Sequence, residues 1–149
     1  MKAERTRAPI RIVEVGYADA LDDIRRIRIG VFVREQGVPE ALEMDDRDPA
    51  CVHVLAHLGE APVGTGRVDV AARGKIGRVA VEARARRRGI GTAIMLALHD
   101  AAARRGLASV WCHAQLSAVP FYAALGYRSV GPEFEEAGIQ HVKMVRDLA

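Results

Sequence analysis

Cysteine and aromatic residues are scarce in this chain, and long apolar runs are missing. Its two cysteines, Cys51 and Cys112, each fall in a strand-like apolar run and read as buried, reduced thiols. No Cys and His spacing suggests a zinc site, so no metal is expected. There are only one Trp, three Tyr and three Phe. None interleaves with the basic stretch 84–88, so that stretch lacks the stacking platforms of a nucleic-acid interface. No apolar run approaches the roughly 20 residues of a membrane span. Residues 1–9 mix Lys2, Glu4, Arg5 and Arg7 and lack the apolar core of a signal peptide. Internal repeats, low-complexity tracts and interdomain linkers are also absent. The expectation is a cytoplasmic protein with no membrane or nucleic-acid partner, one domain over 1–149, and a flexible tail at 1–9.

What remains is ordinary globular composition. The chain has 149 residues, 50% hydrophobic and 28% charged, enough for one core. The net charge of +3 is unevenly spread. Arg84, Arg86, Arg87 and Arg88 fall together, as do Glu40, Glu43, Asp45, Asp46 and Asp48. A basic cluster needs an anionic partner or solvation, and an acidic one can receive a cationic substrate.

Periodicity supplies the elements. Residues 10–15 form a first strand. Asp19 offers an N-cap to a helix spaced on Leu21, Ile24, Ile27, Val31 and Phe32, which stops near Gly37-Val38-Pro39. Residues 40–49 read as a loop or irregular helix. A meander follows with strands at 52–58, 63–70 and 76–81, separated by turns at 59–62 and 73–74. A helix runs from Gly89 to a basic last turn before Gly106. A strand at 107–113 leads to a short helix capped by Ser117 and closed by Gly126, then strands at 127–130 and 141–145. The order predicts an α/β fold, a mixed sheet with helices on both faces.

The chemistry concentrates where the strand at 76–81 leads into Arg86-Arg87-Arg88-Gly89-Ile90-Gly91-Thr92. The first turn of a helix leaves backbone N–H groups without partners and carries partial positive charge. Glycines at 89 and 91 let a phosphate come close to that backbone, and the arginines add charge. A pyrophosphate suits such a turn.

Arg86-x-x-Gly89-x-Gly91 resembles the acyl-CoA motif of the GCN5-related N-acetyltransferases (GNAT). Residues 118–127, AVPFYAALGY, resemble that family's second signature, at the right distance. Val31-Phe32-Val33-Arg34-Glu35-Gln36 with Asp45, Asp48 and His53 is similar to its bacterial ElaA/YjcF-like subgroup. The resemblance spans residues 10–146 and implies a GNAT-type fold and transfer of acetyl from acetyl-CoA to a primary amine.

Carried over residue by residue, the resemblance has Val79, Ala80 and Val81 bond the pantetheine arm through their backbone. The turn of Arg86, Arg87, Arg88, Gly89, Ile90, Gly91 and Thr92 would hold the pyrophosphate. Strands near Val81 and His113 would part to admit the thioester. Tyr122 would protonate the departing thiolate, as a phenol with a pKa of about 10 can at neutral pH. Gln115 stands where many relatives place a cofactor-touching asparagine. Relatives with a side-chain base often place Glu or His early in the fourth strand, where this chain has Lys75 and Gly77. Glu35, Glu82, His53 and His113 stay open as bases, acting directly or through water.

The acidic stretch at 40–48 lies where the family builds part of its acceptor site. A cationic acceptor and a plain solvated loop are its two readings. The alternative for the whole chain is a non-catalytic acyl-CoA binder or sensor. Acyl-homoserine lactone synthesis fits less well, given the compact length and the intact Phe121-Tyr122 motif. An exposed edge strand near the C-terminus could pair two copies as a homodimer.

Overall fold

The computed structural model describes residues 8–40 and 44–148. Glu43 of the acidic stretch and most of the tail at 1–9 lie outside them. Seven strands form one sheet in the order β1-β2-β3-β4-β5-β7-β6. They are β1 (Ile10–Val15), β2 (Val52–Leu58), β3 (Ala61–Asp69), β4 (Lys75–Val81), β5 (Ser109–Gln115), β6 (Arg128–Glu136) and β7 (Ile139–Asp147). All neighbours are antiparallel except β4 and β5. The element order matches the one read from periodicity.

Helix α1 (Leu21–Arg28) covers one face, burying Ile24 and Ile27 with Val31 against Leu55 of β2 and Ala80 of β4. It carries Asp22 and Asp23 in its first turn and basic residues in its last, complementing its dipole. Asp19 is not its cap: Ala20 holds that position without a side-chain hydrogen bond. The helix continues as a wider π-helical segment, Ile29–Glu35, a form frequent at functional sites.

Helix α2 (Ile90–Arg104) covers the other face. Ile90, Ile94, Met95 and Leu98 pack in the main core with Val54, Val68, Ile76, Cys112 and Met144. The helix comes this close because β3 presents Gly64 and Gly66 to it. A Cβ on Gly66 would lie 2.8 Å from Ile94 and 3.0 Å from Leu98. Gly106 (φ +86°) ends α2, with the Gly106 N–H bonded to Ala103 and the Leu107 N–H to Ala102. This is a Schellman closure.

A short helix α3 (Val119–Ala124) follows a 3-10 turn after β5. Its cap position belongs to Ala118 with no side-chain bond, so Ser117 does not serve as the cap. The last strands are longer than the apolar runs that marked them, because β6 is mostly exposed and carries polar residues. β5 likewise starts two residues later than expected. The apolar Leu107 belongs to the helix closure instead.

Candidate active site

β4 and β5 share little. Their parallel register pairs Lys75 with Trp111, and among the described residues it records no further partners. The Trp111 N–H bonds to the Gly74 carbonyl at that point. Beyond it the strands part. β4 is also bulged where Arg78 takes a left-handed φ of +54°, and the register with β3 shifts between Thr65 and Arg67. A bulge inserts an unpaired residue and re-aims the local backbone.

A groove of about 460 Å³ opens at this gap, lined among others by Phe32, Gln36, Asp45, Gly77, Val79, His113, Gln115, Tyr122, Glu136 and His141. A smaller hollow of about 300 Å³ lies at the start of α2, lined by Val81, Ala85, Arg86, Arg87, Gly89, Ile90, Gly91, Thr92 and Phe121. Alternate residues of β4 (Val79, Val81) and consecutive residues of α3 (Tyr122, Phe121) thus line the two spaces. The candidate set gathers here, with Ala80 and Arg88 placed differently. The Ala80 side chain is buried under α1, and Arg88 is exposed beside the turn.

The turn itself is built for backbone approach. Arg87 and Gly89 have φ of +63° and +78°, and Gly89 caps α2 without any side-chain hydrogen bond. A Cβ at Gly89 would meet nothing within 4 Å, so the side of the turn is open. The first-turn N–H groups of α2 are therefore left uncapped by side chains, with the positive end of the helix dipole behind them. Arg86 does not reach outward. Its Nε donates to the Val81 carbonyl at 2.9 Å and its Nη2 to Glu35 at 2.9 Å. The arginine braces the turn against β4 and the π-helical segment, and this engages Glu35. Gln115 donates to the Gln36 side chain at 2.9 Å, joining β5 to the end of the π-helical segment.

Tyr122 is held by edge-to-face contacts with Phe121 and Tyr127, centroids 5.2 and 5.5 Å away. Burial, with Cys112 nearby, raises its pKa, so the phenol keeps its proton at neutral pH. Burial likewise pushes Cys112 up to about 12 and Cys51 to about 11, and both are free thiols.

The acidic stretch is largely engaged internally. Asp45 is clasped by both Arg67 Nη atoms at 2.7 and 2.8 Å and approached by Arg78 at 3.2 Å. The Arg67 bonds hold it well below the usual carboxylate range. Asp48, fully buried, accepts from Arg28 at 2.9 Å and Arg67 at 2.7 Å. Burial pushes its pKa up, but the two arginines win and the net direction is down. Glu40 pairs with Arg25, leaving Asp46 as an exposed carboxylate in a loop.

Of the four open bases, His53 is fully buried, bonded to the Asp48 carbonyl at 2.7 Å and stacked on Tyr17. Glu82 is clasped by Arg26 at 2.6 Å and Arg84 at 3.2 Å. His113 lies in the groove, its Nδ1 3.0 Å from Glu136. Glu136 and His141 were not singled out from sequence. The signal for His141 is the alternation of β7, where His141 and Lys143 face the same side as Gln115 and His113 of β5 through direct register pairs. Glu136, at the end of β6, has no such local signal.

Residues 20–148 match the acetyltransferase (GNAT) domain family. The chain is 40% identical to the uncharacterized N-acetyltransferase YjcF of Bacillus subtilis, over 87% of this chain and 94% of that one. The crystal structure of an acyl-CoA N-acyltransferase from Pseudomonas aeruginosa superposes with a TM-score of 0.81 at 27% identity. The match covers 93% of this chain and 99% of that one. Escherichia coli ElaA shares the fold, with a TM-score of 0.82 at 24% identity over 93% and 99% of the two chains.

Proposed function

Because the chain belongs to the GNAT acetyltransferase family, we propose that it transfers an acetyl group from acetyl-CoA to a primary amine by direct attack within a ternary complex. The observation that carries this reading is the parting of β4 from β5 beside the uncapped start of α2. The arrangement accepts both ends of one extended ligand. The open turn at Gly89 suits a pyrophosphate, and the gap suits a pantetheine arm laid along Val79, Ala80 and Val81. Acetyl-CoA supplies the activated acyl group when bound.

The chain's own groups then have separable roles. Backbone N–H groups of β4 near the Arg78 bulge are placed to polarise a carbonyl in the gap. Tyr122 Oη, protonated at neutral pH, donates to the departing sulfur. Phe32, Gln36 and Gln115 bound the amine's side of the groove. Asp45 stands there already paired with Arg67 and Arg78, so its charge is offset before any cationic acceptor arrives. One catalytic domain working in the cytoplasm fits this reading, and an edge-paired homodimer is compatible with it.

Calorimetric titration of acetyl-CoA and CoA into wild type, Gly89→Glu and Gly89→Asn tests the cofactor site. Asparagine tolerates a left-handed φ, so it controls for backbone strain. Binding by wild type and Gly89→Asn, lost in Gly89→Glu, is the expected outcome. No binding by the wild type would sink the reading.

A further inference from the structure

We infer that His113, held by Glu136, is the base that takes the proton from the incoming amine, in the reaction proposed above. Three observations converge on it. First, the residue lies in the groove at the β4–β5 gap with Tyr122, on the face of the sheet opposite α2. Second, its Nδ1 is 3.0 Å from the Glu136 carboxylate. A carboxylate only accepts, so Nδ1 carries the hydrogen and Nε2 is the lone-pair atom of the neutral ring. Third, the ring is boxed by aromatic neighbours. Phe134 meets it edge-on at 4.8 Å and Trp111 lies tilted at 5.4 Å.

The side chains around His113 fit that role. From β6 comes Glu136. From β7 come Lys143, its register partner, and His141, whose Nε2 is 3.8 Å from the other oxygen of Glu136. His141 Nδ1 donates to the Ile139 carbonyl at 2.7 Å, so its own hydrogen is committed. From β4 comes Lys75, and both lysines sit over the Trp111 ring at 5.3 and 4.6 Å. The side chain of His113 is 24% exposed, unlike that of His53 at 0%. It can therefore meet an amine from solvent and hand the proton back to water.

Proton and electron accounting closes without another reactant. An ammonium gives one proton to Nε2 of His113, and the freed lone pair forms the C–N bond as the C–S bond breaks. Tyr122 Oη protonates the sulfur and recovers its proton, through solvent, from the nitrogen that has become an amide. His113 releases the first proton to bulk. Glu136 touches no substrate and acts as a positioning residue.

The test separates a base from a scaffold by the nucleophile used. Putrescine is an ammonium at neutral pH, whereas hydroxylamine is largely unprotonated and needs no base. His113→Gln should lower kcat/KM for putrescine about 10²-fold or more while leaving hydroxylamine turnover and acetyl-CoA affinity near wild type. Glu136→Ala should produce a smaller fall on putrescine alone. Nitrogen NMR of the histidine-labelled full chain should give the Nδ1–H form for the neutral His113 ring, relaxed in Glu136→Ala. Equal losses on both nucleophiles, no loss on either, no wild-type turnover, or an Nε2–H ring would overturn the proposal. Failure of wild-type acetyl-CoA binding would mark failure of the acetyltransferase reading itself.

Discussion

Two charged regions lie on the α1-covered side of this sheet, and they are built on opposite terms. Around β2 and β3, Arg28, Asp48, Arg67 and Asp45 interlock within 2.7–2.9 Å. Arg28 and Asp48 there have no exposed side-chain surface. Around β5 to β7, His113, Glu136 and His141 stand at the edge of a groove, partly wet and loosely spaced. In the first region Asp45 and Asp48 are each matched by guanidinium, so their charge is largely spent within the fold. The second keeps a titratable ring with one committed nitrogen. Charge held in a closed set organises a fold, and charge left half-open is available for chemistry.

The sharpest break of the comparison is a pair of single substitutions with crossed effects. Asp48→Ala strands the buried Arg28 guanidinium, leaving Arg67 only its pairing with Asp45, and should cost about 3–5 kcal/mol of stability. Turnover per folded molecule should stay close to wild type. Denaturant unfolding beside active-site-normalised rates checks both halves. Tyr122→Phe should do the reverse. It keeps the ring contacts with Phe121 and Tyr127 and loses about 10²-fold or more in kcat, with stability and acetyl-CoA Kd little changed.

Acid sharpens the same contrast. Asp45 and Asp48 have folded pKa values depressed below an ordinary value of 3.8. Their contribution is present above that value and is lost as pH falls through their lower folded values. His99 acts at milder acidity. Burial lowers it to about 4 from 6.5, and its Nε2 lies 2.6 Å from the Tyr127 hydroxyl. A neutral folded ring means stability present above 6.5 and lost as pH falls toward about 4, on the order of 3 kcal/mol. In His99→Gln, the pH dependence of the unfolding midpoint across that window should flatten.

The smallest expected effect concerns packing away from both charged sets. Gly66→Ala pushes a methyl into Ile94 and Leu98 and should cost about 1–3 kcal/mol without altering acetyl-CoA affinity. A loss of affinity would mean that the seat of α2 on β3 also sets the anion turn.

Periodicity and punctuation made much of this legible. The limits of β1 and β2, the end of α2 at Gly106 and the place of Gly89 follow from local rules that tertiary packing did not override. Caps were less readable. Asp19 and Ser117 are good capping types, yet Ala20 and Ala118 occupy those positions. The acidic stretch looked available because sequence cannot reveal that Arg28 and Arg67 converge on Asp48 from elements 20 and 19 residues away. Glu136 was invisible for a related reason. Its meaning depends on the β6–β7 hairpin folding back beside β5, where His113 lies 23 residues earlier in the chain.

The single rung between Lys75 and Trp111 has a mechanical consequence. A continuous sheet resists shear through every interstrand bond, but here one bonded point joins a four-stranded plate to a three-stranded one. The line beyond that rung is a seam, and its inner amides should exchange with water more readily than those of a fully paired strand. Any molecule that threads the seam and bonds to β4 acts as a missing strand. Occupancy should therefore register as slowed amide exchange along both sides of that line, far from any side chain that recognises the ligand.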